Sequence, residues 1–392
     1  MRIAIFTDTY YPQLNGVATS VMMLTRNLRA MGHRVFVFTT TDPEAPPIEE
    51  DVFRLPSLPV LKDRRMGMFY HPKLARMVKN LHLDVIHTHT EFCVGVFGRH
   101  LARSLDIPML HTMHTIYEEY THYLTKRKAL DAMAKKVARR IIADFCAYAD
   151  RIVTPSAKAK DLLLSYGVRV GIDIIPSGIE LDRFAPGYYS PGEIQAARDE
   201  IGLSAGDKVL LYIGRIAKEK YLDELILYLR QYLRDTDNVK LLLIGDGLVR
   251  QKLEKLVASL DIEDKTIFAG ARPWADIGKY YQIGDIFVNA SRSESQGLTY
   301  IEAMAAGVPV VAKADPCLEG VLIDGVSGFA YNDNDEMINI IDRLLSDDQE
   351  RERLAKGALS IASRFSVATY AAAILEEYES LTERPGASKI SL

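Results

Sequence analysis

Short apolar runs alternate with amphipathic stretches along the whole chain. In the first half, apolar runs at 3–7, 35–39, 84–87, 109–112, 151–154 and 172–175 read as strands. Helical spacing of apolar residues at 17–31, 71–81, 94–104, 130–148 and 158–166 predicts helices between them. This alternation implies a parallel sheet covered by helices on both faces. Between Pro176 and Gly206 the pattern lapses, and Pro176, Gly178, Pro186, Gly187, Pro191 and Gly192 punctuate it as in an inter-domain connection. A second series follows, with strands at 209–213, 240–244, 266–268, 286–288 and 308–312. Its helices fall at 222–233, 248–260, 274–281, 298–306 and 335–345, and a last helix is read at 368–381. The expected fold class is α/β, with two Rossmann-like, doubly wound domains. They are expected at 1–180 and 207–365, with a linker at 181–206 and a C-terminal helix and tail at 366–392. Ligands of doubly wound sheets sit beyond the strand C-termini, so two such domains facing each other make a cleft.

Length supports this division, because 392 residues exceed one ordinary core. Apolar residues make up 48% and charged residues 26%, as in a soluble globular protein. A net charge of −4 gives no global attraction to nucleic acid. Cys93, Cys146 and Cys317 are scattered and odd in number, which suggests neither a disulfide framework nor a zinc site. The start, MRIAIFT, reads straight into a strand without a basic-then-apolar leader, and no apolar run reaches the roughly 18 residues that span a bilayer. The expectation is a cytoplasmic protein that meets a membrane, if at all, on its surface.

The most informative segment runs from Ser291 to Val311. Glu294 and Glu302 stand on either side of Gly297, the first on a loop and the second about a turn into a helix beginning at Leu298. A helix start presents free N–H groups and a positive dipole end, the usual place to hold a phosphate. Carboxylates before and behind that point could grip the two ends of a sugar nucleotide through its hydroxyls; the same spacing also fits a solvated helix. The strand at 209–213 leads into Gly214-Arg215-Ile216-Ala217-Lys218-Glu219-Lys220. Arg215 and Lys220 at a strand exit suit neutralisation of a diphosphate, although two solvated cations before a helix read the same way. Gly245-Asp246-Gly247 ends the next strand, where glycine brings backbone close to a ligand or begins a helix cap. In the first half, Gly16 opens a helix after Asp8–Asn15 and lets backbone approach a phosphate. His87, His89, His111 and His114 lie at two strand ends, without a third metal ligand fixed by spacing. A core histidine satisfied by backbone suits His87, and packing suits Trp274. Asp333-Asn334-Asp335 satisfies a DxD pattern, but an N-cap with an acidic first turn explains it.

The segment from Ser291 resembles the E-x7-E signature of the retaining glycosyltransferases of family 4, which have the GT-B fold. Arg215 and Lys220 resemble that family's GR-x4-K motif, though Tyr221 stands where a Gly or Asn is common. Gly245 resembles its GDG turn, and Gly16 its first glycine loop, which closes over the donor phosphates. The resemblance implies that Glu302 binds the ribose hydroxyls and Glu294 the transferred sugar. It implies that Gly297 and Leu298 offer N–H groups to phosphate, with Gly214, Arg215 and Lys220 beside them. His114 falls where the family keeps a histidine near the reacting sugar. The catalytic set expected is therefore His114, Glu294, Arg215 and Lys220. The last helix is expected to cross back onto the first domain. The donor is a substrate, so no cofactor is implied, and such enzymes normally do without a metal.

A basic, apolar surface is predicted in the first domain. From Lys126 to Arg140 there are seven Lys/Arg and one Asp, with Leu130, Met133, Val137, Ile141 and Phe145 at helical spacing. Lys62, Arg64, Arg65, Met66, Met68 and Phe69 interleave cations and apolar residues on an expected loop. With Lys126, Arg127 and Lys128 they form a candidate acceptor and membrane surface. Such cations attract anionic head groups by about 1 kcal/mol each; a core-packed helix with a solvated basic face is the alternative. The words His87-Thr88-His89-Thr90-Glu91-Phe92 and His111-Thr112-Met113-His114 resemble the bacterial diacylglycerol glucosyltransferases. That resemblance implies transfer of glucose from UDP-glucose to 1,2-diacylglycerol by a peripheral protein on the inner face of the plasma membrane. Its product would be an α-linked glycolipid that can anchor lipoteichoic acid. UDP-galactose, a GDP-sugar, a soluble or polyprenyl-linked acceptor, and a non-catalytic sugar-nucleotide-binding protein remain as alternatives. Base identity, acyl preference and oligomeric state are not readable.

Overall fold

Apolar strands alternate their side chains between two cores, and both sheets are built on that rule. The computed structural model describes residues 1–13, 15–61, 64–116 and 128–383. It divides into two compact units: Met1–Gly178 with the chain from Val367 onward, and Ile179–Ser366.

The first unit runs β1 (Arg2–Phe6), α1 (Gly16–Ala30), β2 (Arg34–Thr40), β3 (Val52–Leu55), β4 (Ser57–Leu61), β5 (Arg64–Gly67), α2 (Pro72–Lys79) and β6 (Val85–Thr88). It continues with α3 (Cys93–Leu105), β7 (Met109–Thr112), α4 (Lys128–Cys146), β8 (Arg151–Thr154), α5 (Ala157–Ser165) and β9 (Ile172–Ile174). Among the described residues its main sheet is parallel, in the order β3-β2-β1-β6-β7-β8-β9. Ile3 and Ile5 enter the core on one face and Ala4 and Phe6 that on the other, which is why the strand reads as an unbroken apolar run.

The second unit runs α6 (Pro191–Glu200), β10 (Lys208–Ile213), α7 (Leu222–Asp235), β11 (Val239–Ile244), α8 (Arg250–Ser259), β12 (Thr266–Gly270) and α9 (Ile277–Tyr281). Then come β13 (Ile286–Asn289), α10 (Leu298–Ala305), β14 (Val310–Lys313), β15 (Gly328–Tyr331), α11 (Asn334–Ser346) and α12 (Asp348–Ala362). Its parallel sheet has the order β12-β11-β10-β13-β14-β15. A final helix, α13 (Val367–Thr382), packs with α1 on the first unit, burying Tyr370, Ile374, Tyr378 and Leu381.

In each sheet the strand order reverses once, between β1 and β6 and between β10 and β13. Crevices open beyond the strand C-termini at such switch points. The doubly wound α/β expectation holds. Several elements went unread. The segment 181–206 contains α6 instead of a structureless connection, because Pro191 sits at N1 and Ser190 and Glu193 form a capping box. Residues 64–67, expected on a loop, form β5 antiparallel to β4. Both β3 and β15 are short, and α12 is mostly polar, with Leu354, Ala358 and Ile361 as its buried stripe.

Asp8, at the exit of β1, shows how one switch point is fixed. Helix α3 has Phe92 at its N-cap and no side-chain cap there. The Asp8 carboxylate does that work from across the crevice: Oδ1 accepts from Val94 N–H at 3.0 Å, and Oδ2 accepts from Gly95 N–H at 3.5 Å and from Thr90 Oγ1 at 2.5 Å. Burial raises the carboxyl pKa, and these bonds oppose the shift. Asp8→Ala is expected to lower unfolding stability by about 2 kcal/mol, read as a lower urea midpoint at unchanged m-value; an unchanged midpoint would remove Asp8 from the account of α3.

Candidate active site

The β10/β13 switch point gathers the charged residues of the second unit. β10 ends at Ile213 and delivers Arg215 and Lys220; β13 ends at Asn289 and delivers Glu294. Lys220 Nζ donates to Glu294 Oε1 at 2.6 Å, with each side chain 15% exposed. Arg215 Nη2 donates to Glu219 Oε1 at 2.5 Å, and Glu219 is buried while Arg215 is half exposed. The loop is tied further by Ser293 Oγ, which donates to the Glu219 carbonyl at 2.9 Å, and by Tyr212 OH, which donates to the Arg215 carbonyl at 3.1 Å.

Glycine is required at two points here. At Gly245 a Cβ would lie 1.9 Å from the Gly214 carbonyl oxygen, so the neighbouring strand exits pack backbone against backbone. Gly297 is the N-cap of α10 with φ 78°, and a Cβ there would strike the Tyr300 ring at 2.2 Å. With glycine at the cap and no acidic residue in the first turn, no side chain caps the start of α10 at Leu298. That leaves helix N–H groups and a positive dipole end beside Glu294, Arg215 and Lys220.

Glu302, one turn into α10, is partly exposed. Tyr281 OH donates to its Oε2 at 2.6 Å. Burial pushes the Glu302 carboxyl up to about 7, while the Tyr281 hydroxyl and the Arg183 charge hold it down. Arg183 stacks over the Trp274 ring at 3.7 Å. Trp274 packs against the core on that side, as expected. Tyr221, where glycine or asparagine is common, takes the left-handed conformation at φ 52° itself, and the turn after Lys220 forms nonetheless. Asp333 is an N-cap, accepting from Glu336 N–H at 2.9 Å.

In the first unit, Gly16 is exposed at the first turn of α1, where Asn15 caps the helix through Ala18 N–H at 3.0 Å. Four histidines collect at the ends of β6 and β7. His87 is not satisfied by backbone, as the sequence suggested: Nδ1 lies 2.6 Å from Tyr378 OH on α13, and Nε2 lies 2.7 Å from Thr112 Oγ1. His111 pairs with Glu91 at 3.2 Å and with Thr88. His89 Nδ1 lies 2.9 Å from His114 Nε2, and only His114 of the four is partly exposed. No group of three or more His, Cys, Asp or Glu among the described residues is placed to hold a metal ion.

Comparison with known proteins fits this geometry. Residues 193–360 match the model of Glycosyl transferases group 1, and residues 14–183 that of Glycosyltransferase Family 4. The chain is 39% identical over 335 residues to alpha-monoglucosyldiacylglycerol synthase of Streptococcus pneumoniae, covering 84% of this chain and 75% of that protein. It is 34% identical over 380 residues to the Acholeplasma laidlawii protein of the same name, covering 95% of each. The chain is a family 4 glycosyltransferase. Its fold is GT-B, shared with Anabaena HepE, whose crystal structure in complex with UDP aligns with a TM-score of 0.76 at 24% identity, over 97% of this chain and all of that one.

The membrane-facing candidates of the glycosyltransferase divide. Lys62, Lys126 and Arg127 lie outside the described residues, Arg64 lies on β5, and Lys128 is the first residue of α4. Arg65 is engaged: its guanidinium donates to Ser57 Oγ at 2.9 Å and to the Ser57 carbonyl at 3.1 Å. Met66, Met68 and Phe69 are exposed, Phe69 at 57%. On α4 the apolar stripe faces outward, with Met133 60%, Val137 52% and Ile141 52% exposed, while Ile142 and Phe145 fill the core. The stripe therefore divides: its Phe145 end packs in the core, and Met133, Val137 and Ile141 lie outside it. Among the described residues no helix is long and apolar enough to cross a membrane. Sequence reasoning passed over Glu219, Tyr281 and Asp8. Only Glu219 left a signal, four residues after Arg215 in the same turn.

The histidine cluster makes the first unit acid-sensitive. Burial lowers His87 and His89 well below the ordinary histidine value of 6.5, and lowers His114 to about 3. The unfolded chain therefore takes up protons below pH 6.5 that the folded unit refuses, and stability falls with falling pH. Three histidines imply a loss on the order of 3 kcal/mol between pH 7 and 5.5. Glu302, in the other unit, has the opposite sign: its raised pKa adds stability as pH falls from 7 toward 4.5. Calorimetric scans should show the first unit melting progressively earlier over this range, and a pH-independent transition would contradict the assignment.

Proposed function

We propose that this family 4 enzyme moves glucose from UDP-glucose to the free hydroxyl of 1,2-diacylglycerol, with retention, giving α-monoglucosyldiacylglycerol. The identity to two alpha-monoglucosyldiacylglycerol synthases across both units carries this reading. The outward apolar stripe of α4 and the exposed Met66, Met68 and Phe69 support a lipid-facing first unit. On this reading the protein sits on the inner face of the plasma membrane.

Within the proposal, Arg215, Lys220 and the N–H groups at Gly297 and Leu298 take the donor diphosphate and stabilise the charge that grows as it leaves. Lys220 then exchanges a carboxylate partner for phosphate oxygens, and Glu294 exchanges an ammonium for sugar hydroxyls. Glu302 accepts from the ribose hydroxyls while Tyr281 occupies its other oxygen. His114 meets the reacting sugar from the first unit, and Gly16 approaches the phosphates. A leaving phosphate oxygen accepts the acceptor's proton during front-face attack. No metal takes part.

Purified protein with labelled UDP-glucose and diacylglycerol in vesicles, with and without anionic lipid, tests the reading. A single lipid-extractable α-glucoside formed faster on anionic vesicles is expected. UDP release with another sugar nucleotide or a soluble acceptor, without lipid product, would replace the substrates and keep the family.

Glu302 gives a second test. Donor hydroxyls bind the carboxylate, so donor affinity rises as pH passes upward through about 7. The donor KM is expected to fall about tenfold between pH 6 and 8, following the ionised fraction. Glu302→Gln should flatten that dependence; the same slope in the variant would assign it to another group.

A further inference from the structure

The His89–His114 contact fixes more than the position of two rings. His89 is 1% exposed, and its Nε2 has no hydrogen-bond partner among the described residues. Its Nδ1 faces His114 Nε2 at 2.9 Å, and the His87 ring packs on it with centroids 4.0 Å apart, tilted by 38°. His87 is itself held on both nitrogens by Tyr378 and Thr112, so His89 cannot turn its free nitrogen toward a new partner without displacing a fixed ring.

Two proton arrangements satisfy the 2.9 Å contact. In one, His114 Nε2–H donates, and His89 then carries a buried N–H on Nε2 with no acceptor. In the other, His89 Nδ1–H donates, and its Nε2 keeps only an unmatched lone pair. Buried orphan N–H groups are the rarer defect in folded proteins, and the second arrangement avoids one. A charged pair is excluded by the burial of both rings, which disfavours the imidazolium. The second arrangement forces the His114 proton onto Nδ1, which no described residue engages. His114 is the partly exposed member of the cluster, two residues beyond the end of β7.

We propose that His89 is a positioning residue that holds His114 in its Nδ1–H tautomer, so that His114 presents a hydrogen-bond donor to its ligand. The functional half of this rests on the reading that His114 meets the donor. An Nδ1–H can donate to a sugar hydroxyl or a phosphate oxygen, whereas a bare Nδ1 lone pair would repel the diphosphate. His89 thus decides whether His114 supports the departing phosphate or opposes it, without touching substrate.

Full-length protein labelled with 15N-histidine, examined by long-range 1H–15N correlation, reads the tautomer directly. His114 is expected to show a protonated Nδ1 and a bare Nε2, and a protonated Nε2 would overturn the proposal. His89→Asn keeps an amide donor at the position of Nδ1; His89→Leu does not. Turnover of H89L should fall about 100-fold with little change in donor KM, while H89N stays within several-fold of wild type and keeps the His114 pattern. Equal losses in both variants, with melting temperatures near wild type, would reduce His89 to a packing role. Should H89L not fold, the wild-type and H89N spectra still decide. If H114A turns over normally, the positioning role is overturned, whatever the tautomer. If UDP-glucose and diacylglycerol prove not to be substrates, the proposed function falls, and the nitrogen pattern alone decides the tautomer.

Discussion

The 2.6 Å contact between Lys220 and Glu294 spans the point where the second sheet reverses its strand order. β10 and β13 are hydrogen-bonded neighbours, and the loops that leave their ends bring Lys220 and Glu294 together. Both side chains are largely removed from water, where leaving one charge alone is expensive. On the proposed reading, a donor that enters offers phosphate oxygens to Lys220 and hydroxyls to Glu294 in exchange. Glu219 does for Arg215 what Glu294 does for Lys220, with the difference that Arg215 remains half exposed. The two cations are thus held unequally, one inside the loop and one at its mouth.

Strand-helix alternation made the doubly wound architecture legible, because strands covered on both faces must be apolar at every position. Ile3 to Phe6 and Val209 to Ile213 show this most plainly. The motif cations and glutamates were legible too, since Arg215, Lys220, Glu294, Gly297 and Glu302 fall on two short segments. Their pairing was not. No local rule says that Lys220 meets Glu294 from 74 residues away, or that Tyr281 holds Glu302, because strand order sets both meetings. Short edge elements escaped for another reason. β3 and β15 lie at sheet edges and are only partly buried, so Arg54 in one and Gly328 in the other break the apolar run, and α6 hid among prolines and glycines although Ser190 and Glu193 spell a capping box.

The stripe on α4 shows where periodicity alone misleads. Helical spacing of Met133, Val137, Ile141 and Phe145 fits either an exposed apolar surface or a core-packed face, and the stripe divides between the two. Ile142 and Phe145 are buried, Phe145 against His111 and the Arg99 guanidinium, while the first three residues face outward. A helix with apolar residues on its outer side loses hydrophobic stabilisation at each of them unless something covers that side. Basic residues accompany the stripe, with Lys135, Lys136, Arg139 and Arg140 on the same helix. Lys135 and Arg140 are partly neutralised within the helix by Asp131 and Asp144. The outward stripe therefore stands as the stronger half of the proposed lipid contact and the charge as the weaker. On the proposed reading, such a surface would bind by apolar insertion and be tuned by head-group charge, a different regime from a purely electrostatic contact.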